Sequence, residues 1–273
     1  MQMAGQLAVI SGASSGIGAA TAQALAAAGA RTILLARRKT ELEAVATTIR
    51  KAGGSAIFFP VDLTQSGEVK RVATTILAEQ GVPDILINNA GAGKFRAIDE
   101  TTPEEMVQMM AVPYFAAFYL TRAFFPALLQ KNSGMIINLI SPAGHTPFPH
   151  STAYSTARWA MRGFTESLRA DLFHTRIRVM LVVPGHVPGS YFETNVASEE
   201  RIPTISRLFP SITADQAATA IVRGIRCNKR EVITPFLLRV GYFFYRLSPR
   251  LMRWTINATG WKRSDGVTLP AHG

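Results

Sequence analysis

The run Leu7-Ala8-Val9-Ile10-Ser11-Gly12-Ala13-Ser14-Ser15-Gly16-Ile17-Gly18 leads directly into the alanine-rich stretch Ala19 to Ala28. The short apolar segment reads as a buried strand and the alanine stretch as a helix, so the glycines lie in the turn between them. Residues without Cβ let backbone amides approach a pyrophosphate, and the start of a helix supplies unpaired N–H groups and a favourable dipole. Gly12, Ser14, Ser15, Gly16, Ile17 and Gly18 are therefore candidate anion-binding residues. Three glycines alone would also suit an ordinary loop. The strand before them, the helix after them and the β-α pattern around them favour a dinucleotide site.

Working outward, short apolar runs alternate with longer amphipathic ones to about residue 185. The spacing predicts strands at Leu7 to Ser11, Thr32 to Ala36, Ala56 to Val61, Ile85 to Asn88, Met135 to Ser141 and Val179 to Val183. It predicts helices at Ala19 to Ala28, Glu41 to Ala52, Val69 to Gln80, Pro103 to Gln130 and Ala153 to Phe173. Continuously apolar strands separated by helices suit a parallel sheet covered on both faces, because each parallel crossover needs a long connection. The fold class is therefore α/β, a doubly wound parallel sheet of the Rossmann type with helices on both faces and a C-terminal helical extension. Beyond residue 185 the pattern predicts an irregular stretch to about Pro210, a helix from Ala214 to Arg226, a last strand near Ile233 to Pro235 and a helical stretch from Phe236 to Asn257 broken at Pro249.

With 273 residues, 48% of them hydrophobic and 17% charged, one dinucleotide-binding domain over residues 1–263 is expected, with a flexible tail over 264–273. The start of the chain lacks the basic and apolar pattern of a secretory signal, and Cys227 is the only cysteine, so a cytoplasmic location is expected. The run Met109 to Leu120 is interrupted by Pro113 and is shorter than a bilayer span, which makes it a buried helix. A net charge of +11 favours anionic partners, but no nucleic-acid-binding module accompanies it, and no nucleic-acid partner is expected. No histidine spacing suggests a metal site: His145, His150 and His186 read as polar loop residues. Lys94 and Arg96 are either solvated or able to attract an anionic substrate group.

The second predicted strand ends at Arg37-Arg38, where a site preferring NAD would carry an acidic residue for the ribose hydroxyls. An arginine there can pair with the 2′-phosphate, so NADP(H) is favoured over NAD(H). Ser141 ends another predicted strand, and Tyr154-Ser155-Thr156-Ala157-Arg158 opens a helix. Four residues apart, Tyr154 and Arg158 share one helix face. A fixed positive charge beside a phenol eases proton exchange with a carbonyl or alcohol oxygen, and Ser141 can hydrogen-bond that same oxygen.

Together with Asp62-Leu63-Thr64, Asn88-Asn89-Ala90-Gly91 and Pro184-Gly185, these motifs make residues 5 to about 230 resemble the short-chain dehydrogenase/reductase family. The resemblance implies a CH-OH/C=O oxidoreductase with Asp62 and Leu63 near the adenine. It further implies Asn89, Ala90 and Gly91 along the cofactor cleft, Pro184, Gly185 and Val187 beside the nicotinamide, Tyr154 and Arg158 near its ribose, a substrate lid over 186–212, and a homo-oligomer. Asn89 and Gly91 can instead stabilise the sheet end. The sequence departs from the family's Asn, Ser, Tyr and Lys tetrad at two positions: Pro113 stands where the asparagine usually lies, and Arg158 where the lysine does. Arginine keeps the charge but does not readily release a proton. A proline within the helix would free the Met109 carbonyl, which could then hold a water in place of the asparagine amide.

Two functions follow. One is an NADP(H)-dependent enzyme in which Ser141, Tyr154 and Arg158 are catalytic; the alternative is a catalytically impaired NADP(H)-binding sensor or scaffold. Tyr191, Phe192, Ile202, Ile205, Leu208 and Phe209, with Phe148, either line a pocket for a hydrophobic carbonyl or alcohol or pack the lid onto the core. Residues 236–263 place Arg239, Arg246, Arg250 and Arg253 beside an apolar face. That face suits peripheral contact with an anionic membrane, a subunit interface or a cover for the core.

Overall fold

In a computed structural model, which describes residues 2–189, 195 and 198–262, seven strands form one parallel sheet. They are β1 (Leu7–Ser11), β2 (Arg31–Ala36), β3 (Ser55–Pro60), β4 (Ile85–Asn88), β5 (Gly134–Leu139), β6 (Ile177–Pro184) and β7 (Glu231–Thr234), in the order β3-β2-β1-β4-β5-β6-β7. The order reverses between β1 and β4, which pair through Ala8↔Ile85, Val9↔Leu86 and Ile10↔Ile87. A crevice opens at such a switch point, beyond the strands' carboxyl ends.

The helices are α1 (Gly16–Ala27), α2 (Lys39–Lys51), α3 (Ser66–Glu79), α4 (Pro103–Met110), α5 (Ala116–Lys131), α6 (Thr152–Asp171), α7 (Ala214–Arg226), α8 (Phe236–Leu247) and α9 (Pro249–Ala258). Side chains alternate along each strand, and here both faces are covered. Ala8, Ile10, Leu34 and Ile87 meet Ala22 and Leu25 of α1 and Ile221 of α7, whereas Val9, Ile33, Leu35 and Leu86 meet Ile76 of α3 and Phe124 of α5. That is why the strand sequences are predominantly apolar rather than alternating. Each valine, leucine, isoleucine or phenylalanine among them, taken fully out of water, contributes about 1.5–3 kcal/mol.

The single helix expected over Pro103 to Gln130 is two helices. Val112 precedes Pro113 and takes an extended conformation, φ −131° and ψ 98°, between α4 and α5. The proline ring crowds the preceding residue out of the helical region, so the break falls one residue before the proline. At this break the Val112 carbonyl accepts a hydrogen bond from Ala92 N at 3.3 Å. The stretch Pro103–Lys131 is long and apolar enough to cross a membrane by composition. In the fold it is broken at this kink, and Leu120, Phe124 and Leu128 of α5 are buried against α3 and the sheet. At the other end of the chain, Pro249 separates α8 from α9, as expected.

Two asparagines are paired within these largely apolar strands. Asn88 and Asn138 lie side by side in β4 and β5, and both are buried. Asn88 Nδ2 donates to Asn138 Oδ1 at 2.8 Å and to Thr121 Oγ1 of α5 at 3.0 Å, while Asn138 Nδ2 donates to Thr165 Oγ1 of α6 at 2.9 Å. A buried amide left unpaired costs about 1–3 kcal/mol, so these bonds are satisfied in only one placement of α5 and α6 on the sheet. Asn138→Ala removes the centre of the network. We expect a loss of about 1–3 kcal/mol, seen as a lower urea midpoint at unchanged slope, with Thr121→Val costing less.

Candidate active site

A cavity of about 610 Å³ runs from the first β-α turn to the two C-terminal helices. At one end Gly12 and Gly16 take positive φ values of 66° and 57°. A Cβ on Gly12 would lie 2.8 Å from Ala90 Cα, and one on Gly18 only 2.2 Å from the Gly12 carbonyl oxygen. The turn is therefore drawn tightly against the end of β4. Asn89 holds it there, donating from Nδ2 to the Ser11 carbonyl at 3.0 Å and the Gly12 carbonyl at 3.2 Å, while the Asn89 and Ala90 amides donate to Ser11 Oγ. Gly12, Ser14, Ser15, Gly16 and Ile17 line the cavity, whereas Gly18 lies behind the turn and serves its packing.

Arg38 donates from its guanidinium to Ser14 Oγ and Ser15 Oγ, both at 3.0 Å, and pairs with Glu41 at 3.3 Å. Arg37 lines the same wall. Asp62 Oδ1 accepts from Thr64 N at 3.0 Å and Thr64 Oγ1 at 2.8 Å, a local turn that fixes Asp62 and Leu63 on the cavity's rim. A glycine cradle at a helix start, with two arginines beside it, fits a phosphorylated dinucleotide. Gly12 to Ile17, Arg37, Arg38, Asp62, Leu63 and Asn89 to Gly91 would hold one.

The middle of the cavity contains Ser141, Tyr154 and Arg158. Tyr154 and Arg158 are each only 5% exposed. One helical turn apart, they bring the Arg158 guanidinium carbon to 4.9 Å from the centre of the Tyr154 ring, a cation–π arrangement. Phe95 closes the ring's other approaches at 4.6 Å between centroids. Gly91 faces the guanidinium so closely that an added Cβ would stand 3.0 Å from one of its nitrogens. Ser141 caps a short 3₁₀ turn, Pro142–Gly144, its Oγ accepting from Ala143 N at 3.3 Å. That turn leans on α6: a Cβ on Gly144 would be 3.0 Å from the Arg158 carbonyl oxygen. Pro184, Gly185 and Val187 line the adjoining wall, where Gly185 N donates to the Thr234 carbonyl at 2.6 Å.

Several supporting residues could not be found from sequence spacing. Tyr242 of α8, a hundred residues downstream, donates its phenolic O–H to the Pro142 carbonyl at 3.2 Å and so braces the Ser141 turn. Burial, with the negative charge of Glu231 adding to it, pushes the Tyr242 phenol well above its ordinary range and keeps it a donor. His145 lies against the Tyr242 ring and within 3.4 Å of Glu231, whose carboxyl is lowered chiefly by that bond.

The loop histidines are therefore partnered rather than simply solvated. His186 bonds Ser211 Oγ at 2.8 Å and approaches Glu199 at 2.9 Å, and the His150 ring meets Trp261 at 4.5 Å. Lys94 and Arg96 face Glu105, at 3.6 and 2.7 Å.

Tyr191 and Phe192 lie outside the described residues; the described part of the expected lid is clamped over the cavity. Arg201 bonds both carboxylate oxygens of Glu100 and sits 4.7 Å over Trp261, and its hydrogen bond lowers the Glu100 carboxyl to about 2. Ile202 joins Phe95, Ala143, Phe148 and Tyr154 in one apolar cluster, and Phe209 packs on Gly241 of α8. Ile205 also faces the cavity, but Leu208 points to solvent.

Residues 6–201 match the sequence profile described as short chain dehydrogenase. The chain belongs to the short-chain dehydrogenase/reductase family. It is 31% identical over 248 residues to a fatty acyl-CoA reductase of Acinetobacter baylyi, covering 90% of this chain and 81% of the relative. A metagenomic short-chain oxidoreductase solved in complex with NADP has 34% identity and a TM-score of 0.72, covering 86% of this chain and 98% of that one. A Burkholderia phymatum short-chain dehydrogenase/reductase solved with NAD shares the fold, with a TM-score of 0.81 at 23% identity over 97% of this chain and 99% of that one.

This short-chain dehydrogenase/reductase is thus an oxidoreductase whose Arg158 position depends on a glycine opposite it. An added Cβ would make the guanidinium give by a few tenths of an ångström, so if Arg158 acts on the reaction, Gly91→Ala is expected to lower kcat/KM about three- to tenfold while leaving the urea midpoint unchanged. In an Arg158→Lys background the same change should cost far less.

Proposed function

We propose that this protein is an NADP(H)-dependent oxidoreductase interconverting a carbonyl and an alcohol on a hydrophobic substrate, with Tyr154 as general acid and base. The observation that carries this reading is that Tyr154, held under the Arg158 guanidinium, shares one continuous cavity with the arginine-flanked phosphate turn and an apolar far end. NADPH, held by the first turn with Arg37 and Arg38, would supply the hydride for carbonyl reduction. Tyr154 holds the phenolic proton and delivers it to the substrate oxygen to give the alcohol. Ser141 Oγ donates a hydrogen bond to the same oxygen and orients it. Arg158 cannot lose its proton, so it acts through fixed charge, stabilising the phenolate left on Tyr154, and the proton returns to Tyr154 from solvent. Pro184, Gly185 and Val187 would flank the nicotinamide.

The substrate class is supported by the aromatic and aliphatic walls around Phe148, Ile202, Phe209 and Met252, and by the similarity to a fatty acyl-CoA reductase. NADP(H) over NAD(H) is supported by Arg37 and Arg38 and by the related NADP complex. We place the protein in the cytoplasm as a homo-oligomer joined through α5 and α6, which leave Phe118 and Trp159 exposed, and in contact with membrane through residues 236–263. A second reading, a cofactor-binding sensor or scaffold, draws support from Arg158 and from Pro113, which stand where the family usually carries a lysine and an asparagine.

Tyr154→Phe separates the two. We expect NADPH consumption over a panel of hydrophobic aldehydes and ketones to fall by about 10²–10⁴-fold while the cofactor-fluorescence titration is unchanged. Tight NADPH binding by the native protein with no turnover over the panel would select the sensor. For the cofactor, the double change Arg37→Ala and Arg38→Ala should raise the Kd for NADPH by about 10–100-fold and leave that for NADH within about twofold, as loss of charge-assisted bonds to the 2′-phosphate requires.

A further inference from the structure

Helix α8 carries two apolar stripes. Leu238, Gly241, Tyr242 and Tyr245 recur at helical spacing and line the cavity. Phe236, Leu237, Phe243, Phe244 and Leu247 recur at the same spacing on another face, and that face meets solvent. Helix α9 repeats the division: Met252 and Ile256 line the cavity, while Leu251 and Trp254 are exposed. The exposure is large, 71% for Phe236, 65% for Leu247 and 67% for Trp254. Packing accounts for the inner stripe and leaves the outer one uncovered.

Charge indicates what covers it. Arg239, Arg246, Arg250 and Arg253 are exposed on the same two helices, and residues 236–262 contain no Asp or Glu. A two-fold contact between copies would bring these arginines against their own equivalents without a compensating acid. Exposed aromatic and aliphatic side chains bordered by arginines instead match a bilayer with anionic headgroups, the apolar side chains entering the acyl boundary and the guanidiniums remaining among phosphates.

We propose that the outer face of α8 and α9 docks on an anionic lipid bilayer, with the cavity wall directly behind it. This rests on the membrane contact proposed above and gives it a face and a lipid chemistry.

The test is flotation of the full chain with vesicles of phosphatidylcholine and phosphatidylglycerol at 3:1, against phosphatidylcholine alone. The chain should float with the anionic vesicles, at least tenfold less with the neutral ones, and at least tenfold less in 0.5 M salt. The double change Phe243→Glu and Phe244→Glu, on the solvent face, should abolish flotation, and Arg246→Glu with Arg250→Glu should reduce it at least tenfold. Brominated acyl chains should quench tryptophan emission in the native chain and much less in Trp254→Phe. Equal flotation with both vesicle types, or none, overturns the proposal. So does a drop in oligomer size of the Phe243→Glu, Phe244→Glu protein by light scattering without vesicles, which would make the face a subunit interface. NADPH titration of the same variants is scored separately: unchanged binding with lost flotation supports the docking face, whereas absence of NADPH binding in the native chain counts against the enzymatic reading and leaves the flotation result standing.

Discussion

The structure depends on how closely the first turn approaches the end of β4. Gly12 and Gly18 have no room for a side chain, and Asn89 fills the gap with two hydrogen bonds to carbonyls that a parallel sheet leaves exposed at its carboxyl edge. Both effects act on the same few atoms. The steric one excludes a Cβ, and the polar one gives the buried carbonyls a donor they would otherwise lack. Once β1 and β4 are fixed in this way, the switch point of the sheet, the N-terminus of α1 and the Ala90-Gly91 backbone occupy one small volume. The backbone amides of the first turn and the Arg158 guanidinium are brought into one cavity by that approach.

A second polar element carries this order across the sheet. Asn88 and Asn138 would be misplaced in strands that need only be apolar, yet their amides link β4 and β5 to Thr121 and Thr165 on two different helices. Thr165 lies on α6, as do Tyr154 and Arg158, so the network that sets where α6 rests also sets where the phenol and guanidinium point. Hydrophobic packing alone is less exacting, since apolar surfaces can slide with little cost, whereas a buried amide has few satisfactory positions.

The sheet was legible in the sequence because parallel strands covered on both faces are predominantly apolar, and such runs are short and sharply bounded. The strands Leu7–Ser11 and Ile85–Asn88 and the helix Ala214–Arg226 were readable to the residue. The turn residues and the Tyr154–Arg158 pair were legible for a similar reason: their geometry is local, spanning a few residues of one turn or helix. The break at Val112 was not read from the sequence, where one helix was expected over Pro103 to Gln130; a proline within an apolar run also restricts the residue before it, and here that effect divides the run in two. Tyr242 was out of reach. Its bond to the Pro142 carbonyl joins segments a hundred residues apart, and in the sequence it is one more aromatic in an amphipathic helix.

That bond shows what the C-terminal helices add. A Rossmann-type sheet ends at its last strand, and the cofactor crevice would be complete without α8 and α9. Yet Tyr242 braces the turn that presents Ser141, Gly241 receives Phe209, and Gly260 lies so close to Pro149 that a Cβ there would stand 2.7 Å from its ring. Thr204 N donates to the Thr259 carbonyl at 2.9 Å, and Arg201 stacks on Trp261 while bonding Glu100. The extension is therefore tied to the segment 201–209, to the loop before α6 and to the serine turn at once. A displacement of these helices cannot leave the Ser141 turn or the far end of the cavity unchanged, because the same side chains support both. Any surface that binds their outer face thereby acts on a wall of the cavity that contains Ser141, Tyr154 and Arg158, which couples the two stripes of α8.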